Sequence, residues 1–325
     1  MSPGAGVAPT GAGGAKKYGA FALRAALGVA IVAILLWHYD PRPVLRTLTR
    51  EHTVNFAAAL AIYVAGQVMS AYRWRLLAAM VNIRGRFAEF FTYYFIGMFT
   101  NLFVPGLVGG DAARAVYLGR RHGRLGDAFA SVLADRGIGL IAMFWLAAFA
   151  AMFMNGSALP PAVTRPAIAV GVIALAGFLT APLIARLLPL LPAIIRRAAG
   201  LAAPYLHHPA ATLPAAFLSL VLQVSIAVAQ WIVARGLGVK APIALFVLCV
   251  PIANLFTAIP ITLNGLGIRE TAYVALFGMA GMSKNDAIAI GLLWFAVTML
   301  GGLTGVYAFV TTPLPPIIST EVEPG

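Results

Sequence analysis

Cysteine is nearly absent from this chain: Cys249 stands alone among 325 residues, inside an apolar run. There is no second cysteine for an internal disulfide or a cysteine-rich metal site, and core packing is its expected role. Charge is scarce as well. Asp and Glu total 10, and charged residues make up 10% of the sequence, against roughly 25% in a soluble domain; this excludes a soluble globular protein. The 5 histidines fall in loops or at helix ends, and the adjacent His207 and His208 have no nearby Asp, Glu or Cys with which to hold a metal. Neither the Gly-x-Ser-x-Gly of a hydrolase elbow nor the Gly-x-x-x-x-Gly-Lys-Ser/Thr phosphate loop occurs, which removes the usual means of nucleotide hydrolysis. No metal or cofactor is expected. An interleaved aromatic and basic RNA-binding pattern is also missing. The formal charge of +13 therefore reads as an orientation signal and as contact with anionic lipid, not as nucleic-acid binding.

What the chain has in quantity is apolar sequence, 61% of residues being hydrophobic. Residues 1–17 form a Gly, Ala and Pro-rich tail, expected to be disordered, that ends in Lys16 and Lys17. The run 18–37 follows, long enough at about 1.5 Å per residue to cross a hydrocarbon core of about 30 Å. Because no small-x-small cleavage site follows it, it is read as a retained first helix. Further runs cover 56–72, 90–107, 128–154, 167–188, 213–234, 243–261 and 287–310. With Lys16 and Lys17 cytoplasmic, the loop carrying Arg73, Arg75, Arg84 and Arg86 returns to the cytoplasm after two crossings. Arg42, Arg46 and Arg50 then fall outside, against the rule. Arg114, Arg120, Arg121 and Arg124 also belong inside, which requires residues 90–110 to enter and return on one side as a re-entrant hairpin. Continued to the end, the count brings a second hairpin, 243–281, in from the outside and places both termini in the cytoplasm.

The two hairpins are copies of one pattern. Asn101-Leu102-Phe103 leads through Pro105, Gly106, Gly109 and Gly110 to Asp111 and Arg114; Asn254-Leu255-Phe256 leads through Pro260, Asn264, Gly265 and Gly267 to Arg269 and Glu270. In both, glycine stands at the fifth position after the proline and arginine at the ninth. Proline, glycine and arginine inside apolar sequence are the composition of a broken helix lining a polar cavity, and two such elements of opposite orientation are a recurring transporter design. The expected fold is all-α and polytopic, with about six full spans plus two inverted re-entrant hairpins. If Pro105 and Pro260 merely kink full spans, the count rises to about eight.

Asp135 and Arg136 lie well inside the run 128–154, where ionisable side chains are costly and face protein or water. Neighbouring helix positions point about 100° apart, so each needs another partner. Asp111 or Glu270 is expected to pair with Arg136, and Arg114 or Arg269 with Asp135. Such a network either serves a substrate or only fixes helix packing. Arg114 and Arg269, the repeated cations, either hold an anionic headgroup by bidentate hydrogen bonds or snorkel after helix turns. Asn101, Asn254 and Asn264 either line the cavity or cap the freed backbone. Arg73 and Arg75 read either as positive-inside, headgroup-facing residues or as a gate at the cytoplasmic entrance, and Trp74 and Tyr72 as part of the interfacial aromatic belt.

Taken as a set, Tyr72-Arg73-Trp74-Arg75-Leu76-Leu77, Phe103-x-Pro105-Gly106 with Gly109-Gly110-Asp111-x-x-Arg114, Asp135-Arg136 and Asn264-Gly265-Leu266-Gly267-Ile268-Arg269-Glu270 resemble the lysylphosphatidylglycerol synthase transmembrane-region family, also called flippase-like. The resemblance runs from about residue 18 to residue 310. It implies a lipid translocase of a bacterial cytoplasmic membrane, working on an anionic or phosphate-bearing envelope lipid. It also implies membrane lipids, with envelope-lipid biosynthetic enzymes, as partners. Asp135 departs from the pattern, which more often has Glu before the Arg; the charge is kept. Only a short tail follows residue 310, so the soluble aminoacyl-transferase activity behind the family name is not expected here. A lipid-modifying membrane enzyme and a non-transporting scaffold in envelope-lipid or hopanoid biosynthesis stand as alternatives. The organisation expected is a tail (1–17), a membrane half with the first hairpin (18–188), a cytoplasmic connector (189–210), a second membrane half (211–310) and a C-terminal tail (311–325).

Overall fold

The structure, a computed structural model, describes residues 50–102, 108–153, 159–190, 192, 196, 200–257 and 268–316. The tail 1–17, the run 18–37, the last residues of the C-terminal tail and the hairpin tips with Pro105, Gly106, Pro260, Asn264, Gly265 and Gly267 lie outside the described residues. Among those described there are helices and no strands: α1 (Arg50–Met80), α2 (Phe87–Thr100), α3 (Val108–His122), α4 (Leu125–Phe153), α5 (Pro161–Leu179), α6 (Ala181–Leu187), α7 (Ala203–His207), α8 (Leu213–Gly236), α9 (Ile243–Thr257), α10 (Ile268–Met279), α11 (Lys284–Leu303) and α12 (Val306–Thr311).

Five stretches, Thr53–Met80, Leu125–Phe153, Pro161–Leu179, Pro209–Gly236 and Lys284–Thr311, are long and apolar enough to cross a bilayer. They match five of the six full spans expected; the sixth, 18–37, lies outside the described residues. The chain is a multi-pass membrane protein. Its lipid-facing surface is visible in α5, of whose span only 6% is buried inside the protein, and in the exposed Phe149, Met152, Phe153, Ile173 and Leu183. Where lipid replaces water as solvent, such exposure costs nothing, and close packing holds the helices together.

The two hairpins have arms too short to span. α2, α3, α9 and α10 contain 14, 15, 15 and 12 residues, against about 20 needed. Within the first, α2 and α3 run antiparallel along their whole length: His122 meets Glu89 at 3.1 Å at the open end, the Tyr93 and Tyr117 rings lie 5.3 Å apart further in, and Asn101 Oδ1 accepts from the Gly110 N–H at 2.8 Å near the tip. A kinked full span would leave these pairs on opposite faces. The second hairpin closes in the same way, with the Phe246 and Phe277 rings 4.9 Å apart. Glycine makes the first closure possible, because a Cβ on Gly110 would overlap the Gly97 carbonyl.

α1 and α8 lie side by side in opposite directions, Asn55 beside Gly236, Gly66 beside Leu222 and Arg73 beside Ser219. Around this pair every neighbour relation of α1–α4 has its counterpart in α8–α11. α4 packs on α9 as α11 packs on α2, and α4 on α8 as α11 on α1. That is the contact pattern of an inverted repeat. Because α1 and α8 are antiparallel, the loops that lead from them into the two hairpins lie on opposite sides of the membrane. Arg124 Nη1 donates to the Asn82 carbonyl at 3.3 Å, and the Tyr117 hydroxyl donates to the Thr312 carbonyl at 3.4 Å. The end of α12 thus shares a side with the basic loop that holds Arg84 and Arg86 and with Arg120 and Arg121 in the last turn of α3. Of the residues 188–209, α7 is helical, and its Tyr205 hydroxyl donates to the Leu77 carbonyl at 3.1 Å, tying the connector to the end of α1.

Candidate functional site: a charged cavity between the repeats

A cavity of about 420 Å³ lies where the hairpins face each other across α1 and α8, and residues of both repeats line it. Its charged wall is one continuous network. Asp135, 1% exposed, accepts from Arg73 Nε at 2.7 Å on one oxygen and from Arg114 Nη1 at 3.0 Å on the other. Asp111 accepts from Arg114 Nε at 3.1 Å, and from Arg136 Nε and Nη2 at 2.7 and 3.0 Å as a bidentate pair. Arg73 also donates to Ser219 Oγ at 2.9 Å. Three guanidinium groups thus share two carboxylates, leaving one positive charge in excess.

Each member sits where its helix forces it to be. Asp135 and Arg136 are consecutive on α4 and project to different sides, so Asp135 turns toward α1 and Arg136 toward the start of α3. Asp111 lies in the first turn of α3, where a carboxylate is favoured by the helix dipole, and Arg114 follows one turn later on the same face. Arg114 is 3% exposed. Its guanidinium lies 4.9 Å from the Trp74 ring centroid and 5.0 Å from that of Tyr94, within cation–π range. Trp74 is fixed in turn by its indole N–H, which donates to Ser131 Oγ at 3.0 Å. Only Arg136 is substantially open, its side chain 40% exposed.

The sequence-expected site residues therefore divide. Asp111, Arg114, Asp135, Arg136, Arg269, Asn101, Asn254 and Gly110 line the cavity, and the pairs formed are Asp111 with Arg136 and Arg114 with Asp135. Asn101 also caps Gly110. Gly109 lies in the first turn of α3. Glu270 lies beside Gly291 of α11 and is not among the cavity-lining residues. Two expectations need correction. Arg73 is 7% exposed and Trp74 is fully buried; neither faces a headgroup region. The reason is the partner helix: α4 brings Asp135 and Ser131 against α1 at that level, so burial is compensated by an ion pair and a hydrogen bond. The amide and hydroxyl lining from Gln67, Ser70 and Gln223 was not anticipated, because single polar residues in apolar helices carry no periodic signal.

A second cavity, of about 960 Å³ and almost wholly apolar, opens between α4, α5 and the arms of the second hairpin, with Phe144, Val170, Leu255 and Ala272 in its walls.

The family described as the lysylphosphatidylglycerol synthase TM region matches residues 21–305. The chain belongs to this family. A UPF0104 membrane protein of Pyrococcus horikoshii is 30% identical over 139 residues, 41% of this chain and 40% of that protein. The alignment thus spans well under half of the relative's length. No solved structure matches.

Proposed function

We propose that this protein is a lipid translocase of a bacterial cytoplasmic membrane, carrying an anionic or phosphate-bearing envelope lipid across the bilayer without altering it. The observation that carries the reading is the charged cavity between two inverted broken hairpins, with a network in which three guanidinium groups share two carboxylates and lining from each repeat, Arg269 included. A lipid anion leaving the bilayer surface loses hydration, and a preorganised cationic wall offsets that loss. The hairpins enter from opposite faces, so rocking one repeat against the other exposes the cavity to each side in turn. The positive-inside rule supports a cytoplasmic side for the basic segments around Arg84 and Arg120, and with them for the end of α12. Within the network Arg136 is the direct phosphate contact, since Arg114 spends Nε, Nη1 and Nη2 on Asp111 and Asp135. An inside-negative potential of 100 mV favours outward movement of a monoanion by about 2.3 kcal/mol.

The test is transbilayer movement of labelled phosphatidylglycerol and phosphatidylcholine in proteoliposomes of the purified protein, with recovery of the lipid afterwards. Selective movement of chemically unchanged phosphatidylglycerol, lost in Arg136→Ala, supports the translocase. Movement no faster than in empty liposomes under an imposed potential overturns it in favour of a scaffold, and a modified lipid overturns it in favour of an enzyme.

A further inference from the structure

Beside its charged network, and with Arg269 of α10 as a further cation in its lining, the cavity presents neutral hydrogen-bonding groups. Gln67 and Ser70 of α1, Gln223 of α8 and Asn254 of α9 line it. Gln223 is 4% exposed, and its amide oxygen has no hydrogen-bond partner among the described residues. A buried acceptor left unpaired is costly, and in a cavity between moving halves it is the kind of group that a ligand satisfies. No carboxylate of the charged network is spare. Each oxygen of Asp135 and of Asp111 already accepts from an arginine.

These two facts set the chemistry of a fitting headgroup. An ammonium group would find no unpaired carboxylate and would face a network with one positive charge in excess, so the cavity disfavours cationic aminoacyl headgroups. A phosphate at Arg136, carrying a neutral group with hydroxyl donors toward Gln223, satisfies both the excess positive charge and the unpaired acceptor. We propose that the cavity selects lipids whose phosphodiester bears a neutral hydroxylated group, a glycerol or a sugar, and that Gln223 is the residue that recognises its hydroxyls. This rests on the translocase reading for its biological setting, while the selectivity itself is an equilibrium property of the cavity. A hydroxyl that meets a buried acceptor is worth far more than one that stays in water, because the analogue lacking it leaves the acceptor unpaired.

The experiment compares three short-chain lipids on the purified full-length protein in detergent: phosphatidylglycerol, phosphatidylmethanol, which has the same single charge and no hydroxyl, and phosphatidylethanolamine. Binding is read from the change in intrinsic tryptophan fluorescence, to which Trp294 in the cavity lining contributes, with thermal unfolding as the check on folding. Wild type is expected to bind phosphatidylglycerol about three- to tenfold more tightly than phosphatidylmethanol, the worth of roughly one net hydrogen bond, and phosphatidylethanolamine most weakly. Gln223→Leu should bring phosphatidylglycerol down to the phosphatidylmethanol level and leave phosphatidylmethanol unchanged. Equal wild-type affinity for those two lipids overturns the proposal, as does equal weakening of both by the substitution. If Gln223→Leu unfolds, Gln223→Met replaces it, and the wild-type ratio alone still decides. Discriminating binding without transbilayer movement would sink the translocase and leave the selectivity standing; indiscriminate movement of all three would do the reverse.

Discussion

Arg73 of α1 and Asp135 of α4 meet at 2.7 Å, 62 residues apart in sequence and both almost fully buried. With Arg114 on the other carboxylate oxygen, Asp135 is the joint between the first hairpin and the two helices that flank it. Taking one partner from a buried pair leaves an uncompensated charge and costs about 3–5 kcal/mol. Asp135→Asn strands two arginines at once and should lie at the upper end of that range. Thermal unfolding in detergent should show a large loss for the single substitution. The double variant Asp135→Leu with Arg73→Leu should be less destabilised than the sum of its parts, because it removes both charges together. Additive losses would mean that the pair is not coupled.

Arg136 presents the opposite case. Its side chain is 40% exposed to the cavity although it grips Asp111 with two hydrogen bonds. Arg136→Ala should therefore cost little stability, about 1 kcal/mol or less given its exposure, while reducing anionic-lipid movement at least tenfold. Arg136→Lys keeps the charge but not the planar fork, and should restore only part of the rate. A destabilisation as large as that of Asp135→Asn would assign Arg136 to the scaffold.

Gly110 tests the hairpin itself. An alanine there would meet the Gly97 carbonyl and the Asn101 side chain, whereas Gly126 and Gly137 have open space at the same position. Gly110→Ala should destabilise by about 3 kcal/mol, the cost of overpacking against backbone that cannot yield. Gly126→Ala and Gly137→Ala should be neutral or stabilise by a few tenths of a kcal/mol through helix propensity. Equal behaviour of the three in thermal unfolding would mean that α2 and α3 do not approach this closely.

The hairpins were readable in sequence because proline, glycine and arginine interrupt apolar runs there, and the interruption occurs twice in matching order. The pairing of Asp135 and Arg136 with residues of the first hairpin was readable for a similar reason: two adjacent charges deep in a span must find partners elsewhere. Arg73 was not. It stands in a basic cluster near the end of a long helix, and sequence offers no way to separate a charge held by a neighbouring helix from one that snorkels to the interface. The same holds for Trp74. Gln67, Ser70 and Gln223 were invisible because their significance comes from α1 and α8 lying side by side, a relation set by packing and not by any local pattern.

That relation makes a prediction about the membrane. Since α1 and α8 are antiparallel over their length, with Gly236 beside Asn55 and Ser219 beside Arg73, the loop after α1 and the loop after α8 must lie on opposite faces. Cysteines placed at Arg84 and at Lys240 should thus react with a membrane-impermeant maleimide from opposite sides of sealed vesicles. The natural Cys249 is fully buried in α9 and should stay unlabelled in the folded protein. Labelling of both engineered positions from the same side would mean that the two hairpins enter from one face. The repeats would then be parallel, and no rocking of one half against the other could open the cavity alternately to the two sides.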